Sequence, residues 1–358
     1  MNFNFYLIKS LRILLFPFSL LYGVVIIIRN YLFDQNFFKS ASFNLPIIAV
    51  GNLSVGGTGK SPMVEYLVRL LKDKYEVATL SRGYKRKTRG YALAHAQTTA
   101  LDIGDEPMQF HNKFPGVAVA VGEERVVAIP QLLHDRPQTQ VIILDDAYQH
   151  RTIRAGLNIL LTDCSNLFTR DFFLPTGDLR DERSSYKRAQ IIVVTKCPPD
   201  FSEEEKAALI KEIEPQKGQQ IFFTSIEYGQ PYHIISKQER QITQHDEILL
   251  VCGIANPAPL KNYLSTHAKT YYQQTFSDHH IFTIDDLEEI EKQFNHIRAA
   301  NKMIITTEKD AVRLDKFSNE LRDLPVFVLP VQHCLLFREG MQFDNAVTTF
   351  IQNFNTTR

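Results

Sequence analysis

The first thirty residues and the rest of the chain carry different hydrophobic patterns. The opening MNFNFYLIKSLRILLFPFSLLYGVVIIIRNYLFD sets Lys9 and Arg12 ahead of an uncharged stretch from Ile13 to Ile28, closed by Arg29. As a helix that stretch would reach about 24 Å, short of the roughly 30 Å of hydrocarbon in a bilayer. Extending it back to Phe3 would bring both cations inside, and Pro17 interrupts it. No small-x-small cleavage pattern follows Ile28, so a secretory signal does not fit. Residues 1–30 therefore read as a membrane-associated helix dipping its apolar face into one leaflet, with a single span or a buried core helix as alternatives. Basic flanks suit a cytoplasmic, anionic leaflet, and a membrane location implies a lipid or membrane-borne partner.

From Pro46 onward, short β-branched runs alternate with amphipathic stretches. The runs are 47–50, 77–80, 117–121, 141–144, 158–161 and 190–194, with helices expected at Pro62–Lys72 and Glu123–His134. Continuous apolar strands separated by helices predict an α/β fold with a mostly parallel sheet covered on both faces. After about residue 225 the pattern restarts: EILLVCGI (247–254), a helix near 257–267, an acidic amphipathic helix from Ile284 to Arg298, MIITT (303–307) and VFVLPV (326–331). The polar stretch 228–241, with Gly and Pro, reads as the connection. The expected organisation is a membrane helix at 1–30, a first domain at 31–227, and a second, smaller α/β subdomain with linker strands at 228–358.

The segment PIIAVGNLSVGGTGKSPMVEYLVRLL (46–71) reads as strand, glycine-rich loop, then helix, the context in which a phosphate-loop match carries weight. Backbone N–H groups of Gly56, Gly57, Thr58 and Gly59, with the following helix N-terminus, form a pocket for phosphate oxygens. Lys60 would reach the β- and γ-phosphates of a nucleotide, and the Ser61 hydroxyl would ligate Mg²⁺. The pattern GxxxxGK[ST] asks for glycine at 54, where this chain has Ser54. The run VIILDDAYQHR (141–151) is a hydrophobic strand ending in Asp145 and Asp146, and carboxylates at the carboxyl end of a parallel strand are placed to meet that metal. A P-loop NTPase-like sheet follows from these features.

Composition narrows the partners. Forty Lys+Arg balance forty Asp+Glu, which argues against nucleic-acid binding. The four cysteines form no CxxC pair, so neither a disulfide scaffold nor a zinc ribbon is expected and a reducing compartment is the default. Guanine recognition needs an Asp where TKCP (195–198) has Pro198, which disfavours a GTPase. Nothing in the sequence points to a protein partner.

The ordered set GNLSVGGTGKSP (51–62), SRGY (81–84), GDEP (104–107), VGEER (121–125), LDDAYQHR (144–151), LPTGDLRD (174–181), CGIANP (252–257), FSDHH (276–280) and TEKDAVRL (307–314) resembles the tetraacyldisaccharide 4'-kinase family of lipid A biosynthesis. The resemblance spans most of the chain. It implies transfer of the ATP γ-phosphoryl group, with Mg²⁺, to the 4'-hydroxyl of a tetraacylated glucosamine disaccharide 1-phosphate at the cytoplasmic face of the inner membrane. It also implies two α/β subdomains joined by a two-stranded linker, with the active site in the cleft between them. Departures are Ala147 and Lys85 where the family commonly has glycine, and Asp181 where it has Glu.

From the residues alone GDEP reads first as a helix N-cap; the resemblance turns that round and makes Asp105 the base that takes the acceptor proton. Its proposed partner is His279, with Asp278 orienting the ring and the adjacent His280 as the alternative. Lys60 completes the catalytic set. Arg82, Tyr84, Arg125, Gln149 and Arg180 are the implied contacts to the disaccharide lipid, although Arg125 also reads as a helix-surface cation. The run RGYKRKTRGY (82–91), rich in Lys and Arg, follows a strand at the ligand end of the sheet and is expected to meet lipid or substrate.

Overall fold

The computed structural model describes residues 12–356; the part of the expected membrane helix at residues 1–11 lies outside the described residues. Strands run in chain order as β1 (Ile47–Asn52), β2 (Val77–Ser81), β3 (Ala92–Leu93), β4 (Ala118–Val121), β5 (Val141–Asp145), β6 (Leu157–Asp163), β7 (Ile191–Thr195), β8 (Gln220–Tyr228), β9 (Tyr232–His233), β10 (Glu247–Cys252), β11 (Thr270–Thr275), β12 (Lys302–Thr307), β13 (Val326–Leu329) and β14 (Val331–Leu335). The principal helices are α1 (Phe16–Asp34), α2 (Lys60–Leu71), α3 (Asp105–Lys113), α4 (Arg125–Asp135), α5 (Glu203–Ile213), α6 (Ala258–His267), α7 (Ile284–His296), α8 (Glu308–Leu314) and α9 (Gly340–Thr356).

Among the described residues there are two sheets. The larger has the order β14-β8-β7-β6-β1-β5-β2-β4-β3, the smaller β11-β10-β12-β13-β9. Pairing is parallel except at β3, β9 and β14, each at a sheet edge. Strands β1, β2, β5 and β7 are buried at every position, as continuous β-branched runs require when helices cover both faces. On one face, Val64, Leu67 and Val68 of α2, Phe110 of α3 and Phe343, Val347 and Ile351 of α9 pack on alternate residues of the strands. On the other, Ile129 and Leu132 of α4 pack on Ala49, Leu80 and Leu144. The fold expected from the sequence is the fold observed.

The division at residue 228 differs in one respect. The run VFVLPV was read as a single strand, but Pro330, which has no N–H, separates β13 in the smaller sheet from β14 in the larger. The chain leaves the larger sheet after Tyr228 and re-enters it at Val331, and these two residues are paired partners on adjacent antiparallel strands. Residues 331–356 therefore pack with the first sheet, not with the second subdomain, to which the range 228–358 had assigned them.

Candidate active site

The phosphate loop leaves β1 at the centre of the larger sheet. Its left-handed positions fall on Gly56 (φ 107°) and Gly59 (φ 85°), where a side chain would be strained. Ser54 is not among them: it bridges Leu179 in extended conformation, and Val55 N–H donates to Asp178 O at 2.7 Å, so the missing glycine is no obstacle. Gly59 caps α2 without a side-chain bond. Its carbonyl accepts a 2.8 Å hydrogen bond from His333 Nε2, while His333 Nδ1 meets Thr224 Oγ1 at 2.9 Å. Burial pushes the His333 imidazole down to about 4, consistent with a neutral ring that donates through Nε2 and accepts at Nδ1. Thr195 Oγ1 donates to Thr58 O at 2.9 Å, so two strands fix the loop from beneath.

Lys60 Nζ lies 3.4 Å from Asn52 Oδ1 and 3.6 Å from Asp146 Oδ1. The two aspartates at the end of β5 diverge. Asp146 turns into the left-handed region (φ 48°) and forms a two-pronged ion pair with Arg180, Nη1 to Oδ2 being 3.0 Å. Burial opposes ionisation there, yet Arg180 and Lys60 hold the carboxyl down at about 2. Asp145 stays in line with β5 at its carboxyl end, 2% exposed, with Ser81 Oγ 3.4 Å from Oδ2 and no protein partner among the described residues for Oδ1. Burial, with Glu106 and Asp146 nearby, pushes it up to about 7.

The Ser61 hydroxyl donates to Glu106 Oε1 at 3.0 Å, and the same oxygen accepts from Lys309 Nζ at 2.6 Å. Burial works against the Glu106 carboxylate, but Lys309, Lys60 and Ser61 keep it below the ordinary range. One residue earlier, Asp105 opens α3 and its Oδ2 accepts from Arg313 Nε at 2.9 Å and meets His279 Nδ1 at 3.0 Å. Arg313 Nη2 also lies 3.1 Å from that ring nitrogen. Both contacts fall on Oδ2, so Oδ1 takes part in neither. His279 sits at φ 62° in the loop after β11, its ring edge-on to Tyr84 at 5.8 Å between centroids. Asp278 is 3.8 Å from Nε2, while His280 turns away to Asp286 (2.9 Å) and stacks on Phe276.

Of the residues expected to contact the lipid, Arg82 and Tyr84 are exposed, Tyr84 against the His279 ring. Gln149 Nε2 donates to Asn52 O at 2.6 Å and Arg180 is bound to Asp146, so both brace the phosphate loop. Arg125 is neither a surface cation nor presented to a ligand. At 1% exposure its guanidinium bonds the carbonyls of Gly122 and Asp145, and burial pushes it down to about 10. Within the basic run, Arg86 pairs inward with Glu123 (2.7 Å), leaving Lys85, Lys87 and Arg89 exposed with Arg82.

Three residues at the site had no role assigned from the sequence: Glu106, Lys309 and Arg313. All lie inside quoted segments: Glu106 stands beside Asp105 in GDEP, whereas Lys309 and Arg313 belong to TEKDAVRL, none of whose residues had been given a role. The donor set suits Mg²⁺: the Ser61 hydroxyl and the carboxylates of Glu106 and Asp145, the latter with a buried unpartnered Oδ1, are hard oxygen ligands. Among the described residues no three His, Cys, Asp or Glu form a closed cage. That matches an ion bound by one or two carboxylates plus substrate phosphates.

Comparison with known proteins gives a consistent result. The family profile for "Tetraacyldisaccharide-1-P 4'-kinase" matches residues 11–352. A protein of Flavobacterium johnsoniae named tetraacyldisaccharide 4'-kinase is 50% identical over 348 residues, covering 96% of this chain and 98% of its own. One of Bacteroides thetaiotaomicron with the same name is 43% identical over 353 residues, covering 94% and 93%. A crystal structure of LpxK from Aquifex aeolicus, described as an apo form in complex with ATP, superposes with a TM-score of 0.74 at 29% identity, over 95% of this chain and 99% of that one.

Proposed function

The chain belongs to the tetraacyldisaccharide-1-phosphate 4'-kinase family, and from that premise we propose how its residues divide the work. It is an ATP-dependent phosphotransferase with an alcohol acceptor, moving the γ-phosphoryl group to the 4'-hydroxyl of a tetraacylated disaccharide 1-phosphate in lipid A biosynthesis. Loop amides of residues 56–59 cradle the phosphates, and Lys60 neutralises the β- and γ-oxygens. Ser61, Glu106 and Asp145 would hold Mg²⁺, with Asp146 beside them fixing Lys60 and Arg180. When bound, the metal neutralises charge on the phosphates and orients them. The bond from the bridging oxygen to the γ-phosphorus breaks and a bond from the acceptor oxygen forms, while Asp105 takes the acceptor's proton.

His279 and Arg313 hold Asp105 from the smaller sheet, so the base is placed only when the two sheets are packed together. Packing of this kind also keeps water from the γ-phosphate. Arg82 and Tyr84, with the exposed cations of the loop 82–91, meet the anionic headgroup. The observation that carries the reading is the Asp105–His279–Arg313 cluster standing one residue from Glu106, which bonds the phosphate-loop serine.

The outer surface of α1 supports a place at the membrane. It buries Ser19, Gly23, Ile26, Asn30 and Phe33 against the body and leaves Phe18, Leu21, Val25 and Ile28 more than half exposed. Ser19, Gly23 and Asn30 face inward beside Ile26 and Phe33, while the exposed face is uniformly large and apolar, unlike the polar outer face of a soluble helix. Because one face is bonded to the protein, a helix lying in the cytoplasmic leaflet of the inner membrane fits better than a span surrounded by lipid. The test is incubation with γ-labelled ATP, Mg²⁺ and disaccharide 1-phosphate lipid in vesicles. Label on the 4'-oxygen of the sugar is expected; label released only as inorganic phosphate would refute the assignment.

A further inference from the structure

The segment TEKDAVRL ends β12, the central strand of the smaller sheet, and forms α8, and three of its charged side chains have complete structural explanations. Glu308 Oε1 is 2.5 Å from Lys113 Nζ and its Oε2 accepts from Val331 N–H at 3.1 Å. Thr307 caps α8, and the Asp310 carboxylate accepts from the Thr307 hydroxyl at 2.7 Å and from Gly253 N–H at 3.0 Å. Arg313 bonds Asp310, Gly253 and Asp105. These contacts already join the two sheets. Lys309 does something different: its ammonium crosses the cleft to Glu106 Oε1, the oxygen that holds the phosphate-loop serine, and its side chain stays 36% exposed there. A cation on a flexible stem, borne by the opposite sheet and aimed at the phosphate-loop mouth, has the placement of a charge delivered to a transferring phosphoryl group.

We propose that Lys309 is a catalytic cation, whose ammonium passes from Glu106 to the non-bridging oxygens of the γ-phosphoryl group as it moves to the acceptor. This rests on the kinase reading above. Lys309 keeps its three protons throughout, so Asp105 remains the acceptor of the hydroxyl proton. The smaller sheet thereby supplies charge neutralisation as well as the partners of the base. Contacts made only as charge spreads over the γ-oxygens stabilise the transition state and leave nucleotide affinity alone.

The test compares the wild-type full chain with Lys309→Met and Lys309→Arg in detergent micelles, acceptor lipid present, measuring binding of ADP with Mg²⁺ and of the same mixture with aluminium fluoride. The wild type is expected to bind the fluoride complex at least about 100-fold more tightly than ADP. Lys309→Met should lose most of that gain while its ADP affinity changes by less than about threefold, and Lys309→Arg should keep part of it. An undiminished gain in Lys309→Met, or equal weakening of both complexes as a mere latch would give, overturns the proposal. If Lys309→Met does not fold, amine acetylation of the wild type read by mass spectrometry decides: protection of Lys309 by the fluoride complex beyond that by ADP supports it, equal labelling overturns it. A wild type that fails to bind ADP with Mg²⁺ at all would remove the kinase reading first, and this inference with it.

Discussion

Asp105 is the residue on which the proposed mechanism depends most directly, since it joins the helix beside the phosphate loop to the His279 and Arg313 side chains of the smaller sheet. Asp105→Ala should lower kcat by about two orders of magnitude or more, the scale of lost general-base catalysis, while titration shows ATP still bound. His333 supports the same loop without charge. Unfolded histidine titrates near 6.5, whereas burial keeps this ring neutral until about 4. Between those values the unfolded chain binds the extra proton, so stability is full above about pH 6.5 and falls as pH drops toward 4. His150, pushed down to about 4 by burial with Arg125 and Arg82 nearby, adds a slope of the same sign. His333→Gln should therefore shrink the loss of unfolding free energy between pH 6.5 and 4.5 by about 2 kcal/mol in urea titrations; an unchanged slope would exonerate His333. The departures from the family pattern are also decided residue by residue. Ala147 is tolerated because the left-handed turn falls on Asp146, whereas Lys85 itself stands at φ 61°, where glycine would be unstrained. Asp181 is fully buried and bonded to Asn30, Ser185 and Arg188, so the shorter acid completes a packed network. None of this is visible in a string of letters, because it depends on where positive φ and burial fall.

At the scale of elements, α1 separates two kinds of contact that one deletion would confuse. Its inner face is wired to the segments that carry the site. Tyr22 Oη donates to Arg180 O at 3.1 Å, Arg29 Nη2 to Gln149 O at 2.6 Å, and Asn30 Nδ2 to Asp181 Oδ1 at 2.7 Å. Asn30→Leu leaves a buried carboxylate short of a donor and should destabilise the fold by about 1–3 kcal/mol in denaturant unfolding. The outer-face variant Phe18→Ser/Leu21→Ser/Val25→Ser touches none of these bonds. It should keep the melting temperature within a few degrees, yet lower affinity for anionic vesicles by at least about two orders of magnitude, since each large apolar side chain contributes roughly 1.5–3 kcal/mol on burial. Equal sedimentation with vesicles would show that the face does not enter lipid. The elements legible in the sequence were those with strong signals: continuous β-branched runs for β1, β2, β5 and β7, and the apolar stripe of α2 behind its proline. Strand β11, TYYQQT, was missed because it is an edge strand with no buried side chain and no apolar run. The glycine-rich loop and the DD strand end were equally plain, but Glu106, Lys309 and Arg313 were not. Their partners lie across a cleft that periodicity cannot describe.

The two sheets meet through ions, and the placement of those ions links stability to chemistry across the whole molecule. Helix α3 carries Asp105 and Glu106 at its first turn and Lys113 at its end. Lys113 Nζ lies 2.5 Å from both Glu65 Oε2 on α2 and Glu308 Oε1 on α8, with Glu65 fully buried and Glu308 nearly so. Glu308 is already pushed up by burial and by Glu65, so the lysine is what allows two carboxylates to face each other. Lys113→Met should lower unfolding free energy by about 3–5 kcal/mol, because it removes the cation between two buried carboxylates that then face each other. The double variant Lys113→Met/Glu308→Gln should recover most of that loss. Glu65 keeps Gln109 at 2.7 Å and Arg69 at 3.3 Å, and a glutamine at 308 can still accept from Val331 N–H. Activity should follow the same order, although Lys113 lies at the far end of the helix from Asp105. A chain that crosses between its sheets only beside Tyr228 and Val331 relies on side chains to keep His279 against Asp105. If kcat stayed at the wild-type level in the single variant while stability fell, the ion triad would stabilise the fold without aligning the base, and closure would have to be set by Arg313, His279 and Lys309.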